Sequence, residues 1–314
     1  MDSVAEQETL MQEVYLISEK PMQTSKTVAY AEASLAAIVW GASFIATKVA
    51  LQDVSPITIV WLRFVIGLII LGIAVAWRKE FSLPKKNDWG YFALLGFLGI
   101  TFHQWLQSNA LQTSEAGTTA WIVATTPVFM ALLSWLALKE KLDLAKVFGI
   151  GLAFFGVLVV VSDGDLASLS IGTIGAPGDA LVLASALNWT VVSVLSRRGL
   201  KTHSSGAFIF TMMAFGCVFN SILFLWNGQY AEISALTFNG WMGILFLGIF
   251  CSGLAYIWWY DALKALSTAG TGVFLYIEPL VAIVVAFFVL GEAITVASLI
   301  GGAVILFGVW LVNR

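Results

Sequence analysis

Ten stretches of mostly apolar residues, each close to twenty residues long, follow one another from residue 32 to residue 313 of this chain. A helix that crosses a bilayer needs about 20 such residues. The stretches fall at approximately 32–52, 56–77, 89–108, 116–138, 145–162, 178–196, 206–226, 241–261, 269–290 and 296–313. The connections between them are short and leave no room for a soluble domain. Only 11% of the residues are charged, against about 25% in soluble domains. Lipid is therefore the solvent for most of the surface, which excludes a soluble enzyme, a nucleic-acid binder and a disordered linker. The net charge of −3 implies no charged partner. Cys217 and Cys251 lie inside apolar runs and offer neither a disulfide framework nor a zinc site.

Residues 1–30 are polar and acidic, with Glu6, Glu8, Glu13 and Glu19, and lack the basic start and apolar core of a signal peptide. They are expected to form a disordered cytoplasmic tail, unless translation begins at Met22. Basic residues then give the orientation. With the N-terminus inside, Lys20, Lys26, Arg78, Lys79, Lys85, Lys86, Lys139, Lys141, Lys146, Arg197, Arg198, Lys201, Lys264 and Arg314 all face the cytoplasm, 14 of the 16 basic residues. The outer loops carry Glu115, Asp163, Asp165 and Glu232 but no lysine or arginine. Both termini are expected inside, in a cell inner (cytoplasmic) membrane.

The chain also repeats itself. A shift of 152 residues aligns Trp89 with Trp241, Gly96 with Gly248, Thr119 with Thr271, Pro127 with Pro279, Glu140 with Glu292, Gly149 with Gly301 and Gly156 with Gly308. Nearer the start the register slips by three and sets Trp40 against Trp189. The halves are expected at 31–162 and 178–313, each with five spans. Five is odd, so the second half enters the membrane from the opposite side. Inverted repeats of this kind are common in secondary transporters, whose substrate site lies near the midplane between the repeats.

The same residues carry a family resemblance. Trp40-Gly41-Ala42-Ser43-Phe44, Arg63-Phe64, Thr126-Pro127 with Leu138-Lys139-Glu140, Gly178-Asp179 with Trp189, and Glu278-Pro279 with Leu290-Gly291-Glu292 resemble the ten-helix, EamA-domain branch of the drug/metabolite transporter superfamily. The likeness covers about residues 33–312. It implies a carrier that exports or exchanges amino acids, other metabolites or toxic compounds.

Candidate site residues follow from what lipid penalises. Pro127 and Pro279 stand midway along matching spans. Each proline removes a donor and frees the carbonyl four residues earlier, on Val123 and Leu275. Matching helix interruptions in two halves point to a transporter site, although a plain packing kink is the alternative. Glu278 is a carboxylate at bilayer depth and so a functional candidate, as a proton carrier, as the partner of Arg63 in an ion pair, or as a plain hydrogen-bonding group. Its counterpart in the first half is Thr126. Arg63, the one basic residue well inside a span, could instead face an anionic group of a substrate. His103 and Gln107 share a face at i and i+4, next to Gln104. Trp40, Trp121, Trp189, Tyr256, Trp259 and Tyr276 lie deep enough to hold apolar, aromatic or cationic groups, or simply to pack. Trp77, Trp89, Trp226, Trp241 and Trp310 fit interfacial belts. Glu140 and Glu292 are expected to cap the helices that follow them, with Asp143 and Thr295. The small-residue faces of Gly149, Ala153 and Gly156 and of Ala297, Gly301 and Gly308 permit close contact, within a monomer or in a homodimer.

The expectation is thus an all-α integral membrane protein of ten transmembrane helices in two inverted five-helix repeats. It would export small organic metabolites, such as amino acids or related compounds, by alternating access, with the lipid bilayer around it and no cofactor, metal or nucleic acid. Intramembrane hydrolysis, with Ser43 and His103 as a thin serine–histidine pair, and passive conduction are the rivals. Neither a P-loop nor H-E-x-x-H is present.

Overall fold

The computed structural model describes residues 25–138, 144–166, 175–266 and 271–312. The tail through residue 24, and Glu140 and Asp143, lie outside the described residues. Among the described residues there are helices and no strand. They are α1 (Lys26–Ala50), α2 (Pro56–Trp77), α3 (Trp89–Gly96), α4 (His103–Ala110), α5 (Ala116–Val123), α6 (Thr126–Leu138) and α7 (Leu144–Val161). After these come α8 (Pro177–Leu200), α9 (Ser205–Trp226), α10 (Phe238–Phe246), α11 (Ala255–Ala265), α12 (Ile277–Leu290) and α13 (Val296–Val312). π-helical segments join α3 to α4 (Phe97–Phe102) and α10 to α11 (Leu247–Leu254).

Among the described residues, seven helices are long and apolar enough to cross a membrane: α1, α2, α7, α8, α9 and the continuous runs Phe238–Ala265 and Val273–Leu290. The protein is a multi-pass membrane protein. The three other expected spans differ in an instructive way. Residues 89–110 are continuous but polar in their later half, with His103, Gln104, Gln107 and Asn109, residues 116–138 are split at Ala124 and Thr125, and α13 is apolar but shorter. At the start, α1 reaches back to Lys26 because the Ser25 side chain accepts from the Val28 N–H and caps it. Residues 26–30 are therefore helical, where a tail was expected. Pro56 and Pro177 open α2 and α8, where the missing N–H costs nothing.

The helices touch backbone to backbone at glycines. A Cβ at Gly149 would stand 2.5 Å from the Gly308 carbonyl, and one at Gly156 would stand 2.7 Å from the Gly301 carbonyl. The small-residue faces of α7 and α13 thus meet each other inside one chain. At the cavity end of the fold, a Cβ on Gly41 would stand 2.6 Å from the Glu278 carbonyl, and one on Gly67 would stand 2.6 Å from the Ser252 side chain. The π segments serve the same end. The segment 97–102 lies against α9, and 247–254 lies against α2. Adding 152 to 97–102 gives 249–254, so the unusual winding recurs in the sequence register.

Gly156→Leu is expected to lower stability by about 1–3 kcal/mol, since the seam has no room to relax. Gly151, with nothing near a Cβ, is the control: Gly151→Ala should leave stability unchanged or raise it by about 0.5–1 kcal/mol. Thermal unfolding of the two purified variants in detergent checks both.

Candidate functional site

A small cavity lies where α1, α2, α4, α8, α11 and the start of α12 meet. Trp40, Arg63, His103, Gln107, Trp189, Tyr256 and Glu278 all line it. Each is held there by its own local structure. Trp40 donates its indole N–H to the Cys251 carbonyl at 3.1 Å. Cys251 belongs to the π segment, where i→i+5 winding leaves backbone groups available to side chains. Arg63 lies one turn before Gly67, so the approach of α2 to Ser252 puts its guanidinium on that serine. Nε donates to Ser252 Oγ at 3.0 Å, and Nη1 donates to Gln104 Oε1 at 2.9 Å. The ring of His103 stacks on Trp189 at 4.9 Å, and the Trp189 ring stands edge-on to Trp40 at 5.9 Å. Tyr256 meets Trp40 at 5.5 Å. The result is an aromatic wall carrying one cation and one carboxylate.

Arg63 and Glu278 are each only 3% exposed. They line the same cavity, yet the ion pairs among the described residues are Lys48–Glu292 and Arg78–Asp261. The Arg63–Glu278 pair, one of the three alternatives for Glu278, is not formed. Arg63 instead relies on neutral acceptors. Glu278 stands in the first turn of α12, where the helix dipole favours a negative charge.

The prolines work differently from a kink inside a helix. Pro127 and Pro279 stand in the first turns of α6 and α12, just after a 124–125 break and a 3₁₀ turn (Val273–Tyr276) respectively. A proline is tolerated there. The freed Val123 carbonyl finds the hydroxyl of Thr126, which donates to it at 2.6 Å, and Thr125 does the same for Ile122 at 2.6 Å. Val123, Thr126 and Leu275, all next to these interruptions, line the cavity.

Three expected residues lie elsewhere. Trp121 donates to Ser298 Oγ at 3.0 Å and packs on Gly302 of α13. Trp259 is buried behind Trp40, with ring centroids 5.1 Å apart. Tyr276 packs with the apolar cluster around α5 and α12. Conversely, Ser185 and Ala186 line the cavity without having been singled out. They precede Trp189 by one helical turn, and that spacing was the available signal. Ser43 also lines it, but its hydroxyl donates to the Trp40 carbonyl at 2.6 Å, not to His103 as a nucleophile would. Among the described residues no three His, Cys, Asp or Glu side chains converge as a metal site requires.

Glu292 departs from its expected role. It accepts from the Ala116 and Gly117 N–H groups, at 3.0 and 3.2 Å, and so caps α5 instead of the helix that follows it. Thr295 does cap α13, accepting from the Ser298 N–H at 3.0 Å.

The profile of the EamA-like transporter family matches residues 28–162 and again 176–314. An uncharacterized transporter of Archaeoglobus fulgidus is 30% identical over 88% of this chain and 94% of its own length. The uncharacterized transporter YyaM of Bacillus subtilis is 27% identical over 86% of this chain and 88% of its own. A protein of Streptantibioticus cattleyicolor named "Probable terminal-alkyne amino-acid exporter" is 28% identical over 89% and 91%. One crystal structure shares the fold with a TM-score of 0.68 at 20% identity, over 92% of this chain and 98% of that one.

Because Glu278 has no ion-pair partner among the described residues, Glu278→Gln should keep or raise the thermal midpoint. Breaking a buried pair would instead cost about 3–5 kcal/mol, and a fall of that size on unfolding in detergent would restore the Arg63–Glu278 pair.

Proposed function

Since this chain belongs to the EamA-like transporter family, we propose that it is a secondary transporter exporting small organic metabolites, amino acids and related compounds first among them, by alternating access. The observation that carries this reading is the cavity itself. It offers an arginine with donors for a carboxylate, a separate glutamate for an ammonium group, and aromatic faces for an apolar side chain. That set is complementary to a zwitterion. In this conformation the cavity holds about 40 Å³, room for roughly three waters. Admitting an amino acid requires the surrounding helices to part, as a carrier's would.

Several features support two inverted five-helix repeats. The three interrupted or shorter helical runs add to the seven long ones to make ten. The α7–α13 contacts are exchanged by the repeat register: Gly149 meets Gly308 and Gly156 meets Gly301, and a shift of 152 turns each pair into the other. The same holds for Gly41 at the Glu278 carbonyl and Thr190, whose hydroxyl donates to the Thr126 carbonyl at 3.4 Å. We read residues 31–162 and 178–313 as the halves, with both termini on the cytoplasmic side of an inner membrane. Hydrolysis fits less well, because the Ser43 hydroxyl is already committed to Trp40.

Counterflow in proteoliposomes tests the proposal. Labelled apolar and aromatic amino acids should exchange saturably, and their amides, which lack the carboxylate, should compete at least tenfold more weakly. Arg63→Met should erase that discrimination. Downhill flux with no saturation and no counterflow would make the protein a channel.

A further inference from the structure

The face away from most basic connections carries a junction that the cavity does not use. Lys48, in the last turn of α1, donates Nζ to Glu292 Oε1 at 3.1 Å and to the Ser114 carbonyl at 3.0 Å. Glu292 holds the first two amides of α5, satisfying donors that a helix start leaves open. Ser114 Oγ donates to Asp179 Oδ1 of α8 at 2.6 Å. Three elements from both halves of the chain therefore converge on residues 114–117. Gly291 makes this possible. Its φ of +69° ends α12, and the Glu292 N–H folds back to the Ala286 carbonyl at 3.3 Å. The side chain of Glu292 is thereby turned toward α5.

Location gives the junction its meaning. Glu292 lines two vestibules, one of about 820 Å³ with Lys48, Asp53 and Glu232, the other of about 390 Å³ with Glu115, Asp163 and Asp179. Phe44, on the cavity wall, is one turn or about 6 Å below Lys48 on α1. Helix α5 runs from the junction at Ala116 to the cavity at Val123, then breaks at Ala124 and Thr125. It is shaped as a lever with its pivot at the site. The ion pair is partly open to water, its side chains 25% and 13% exposed, so water can replace it as a fully buried pair could not be replaced. A matching tether exists at the opposite end. Arg197 donates to the Leu266 carbonyl at 3.2 Å; Lys48 plus 149 is 197, and Ser114 plus 152 is 266.

We propose that Lys48 and Glu292 form a latch that closes this face of the transport path, and that its release lets α5 swing about the 124–125 break. The proposal rests on the carrier reading above. Its test does not need a substrate. Ala186→Cys puts a thiol on the cavity wall, Gln112→Cys marks the vestibule face, and the parent with its two buried cysteines supplies the background. In proteoliposomes, an impermeant maleimide added on the Gln112 face should label Ala186→Cys at least tenfold faster when Lys48→Met or Glu292→Gln is present. Lys48→Arg should return the rate to within twofold. High salt, which screens an accessible pair, should speed labelling of Ala186→Cys with the latch residues intact, a measurement immune to misfolding of the latch variants. Rates that neither the substitutions nor salt alter would overturn the latch. Faster labelling without exchange of any amino acid would uphold the latch and sink the carrier reading; exchange with unaltered labelling would do the reverse.

Discussion

Backbone contact at glycine is the interaction on which this bundle depends. Lipid is as apolar as leucine, so helices gain little by burying leucine against each other, and close van der Waals packing must hold them. The α7–α13 seam at Gly149, Gly156, Gly301 and Gly308, none of which lines the cavity, achieves that contact. At the cavity, the same device sets the chemistry. Gly41 admits the Glu278 backbone to α1, and Gly67 lets α2 settle on Ser252, which then receives Arg63. A methyl group at either glycine would move a charged side chain away from the cavity wall.

The two charges are stabilised separately, and that separation has consequences. Arg63 spends two donors on Ser252 and Gln104, while Glu278 relies on the start of α12. Had they paired, each charge would be satisfied by the other across the cavity. Kept apart, each remains open to a group of opposite charge. Aromatic rings of Trp40, Trp189 and Tyr256 at mutual T-shaped angles leave their neighbours in place and present edges and faces to the space between.

Irregular winding is concentrated where these groups are needed. The π segments at 97–102 and 247–254 precede His103 and supply the Cys251 carbonyl and the Ser252 hydroxyl. The break at 124–125 and the 3₁₀ turn at 273–276 bring two helix starts to the cavity. In hydrocarbon such backbone survives only where side chains re-satisfy it or where it lines a cavity. Thr125 and Thr126 do the former, and Val123 and Leu275 do the latter.

Much of this was legible in the chain itself. Apolar runs of bilayer length announce spanning helices because lipid tolerates little else, and Glu278, Arg63 and His103 announce themselves because polar groups at that depth are costly. Pro127 and Pro279 marked the interruptions, although not that each proline would open a new helix. Trp121, Trp259 and Tyr276 were indistinguishable from Trp40 by depth; only packing directs Trp121 to Gly302 and Trp40 to the cavity. Likewise a glutamate after Leu290-Gly291 reads as a cap for the next helix, and only the tertiary fold turns it to α5 and Lys48. By itself the sequence determined the solvent, the helices and the residues too costly to be idle, since these follow from transfer free energies counted along one chain. Which of those residues face one another was decided by the tertiary structure, because glycine seams and π turns set helix rotation through contacts between segments as far apart in sequence as Gly41 and Glu278.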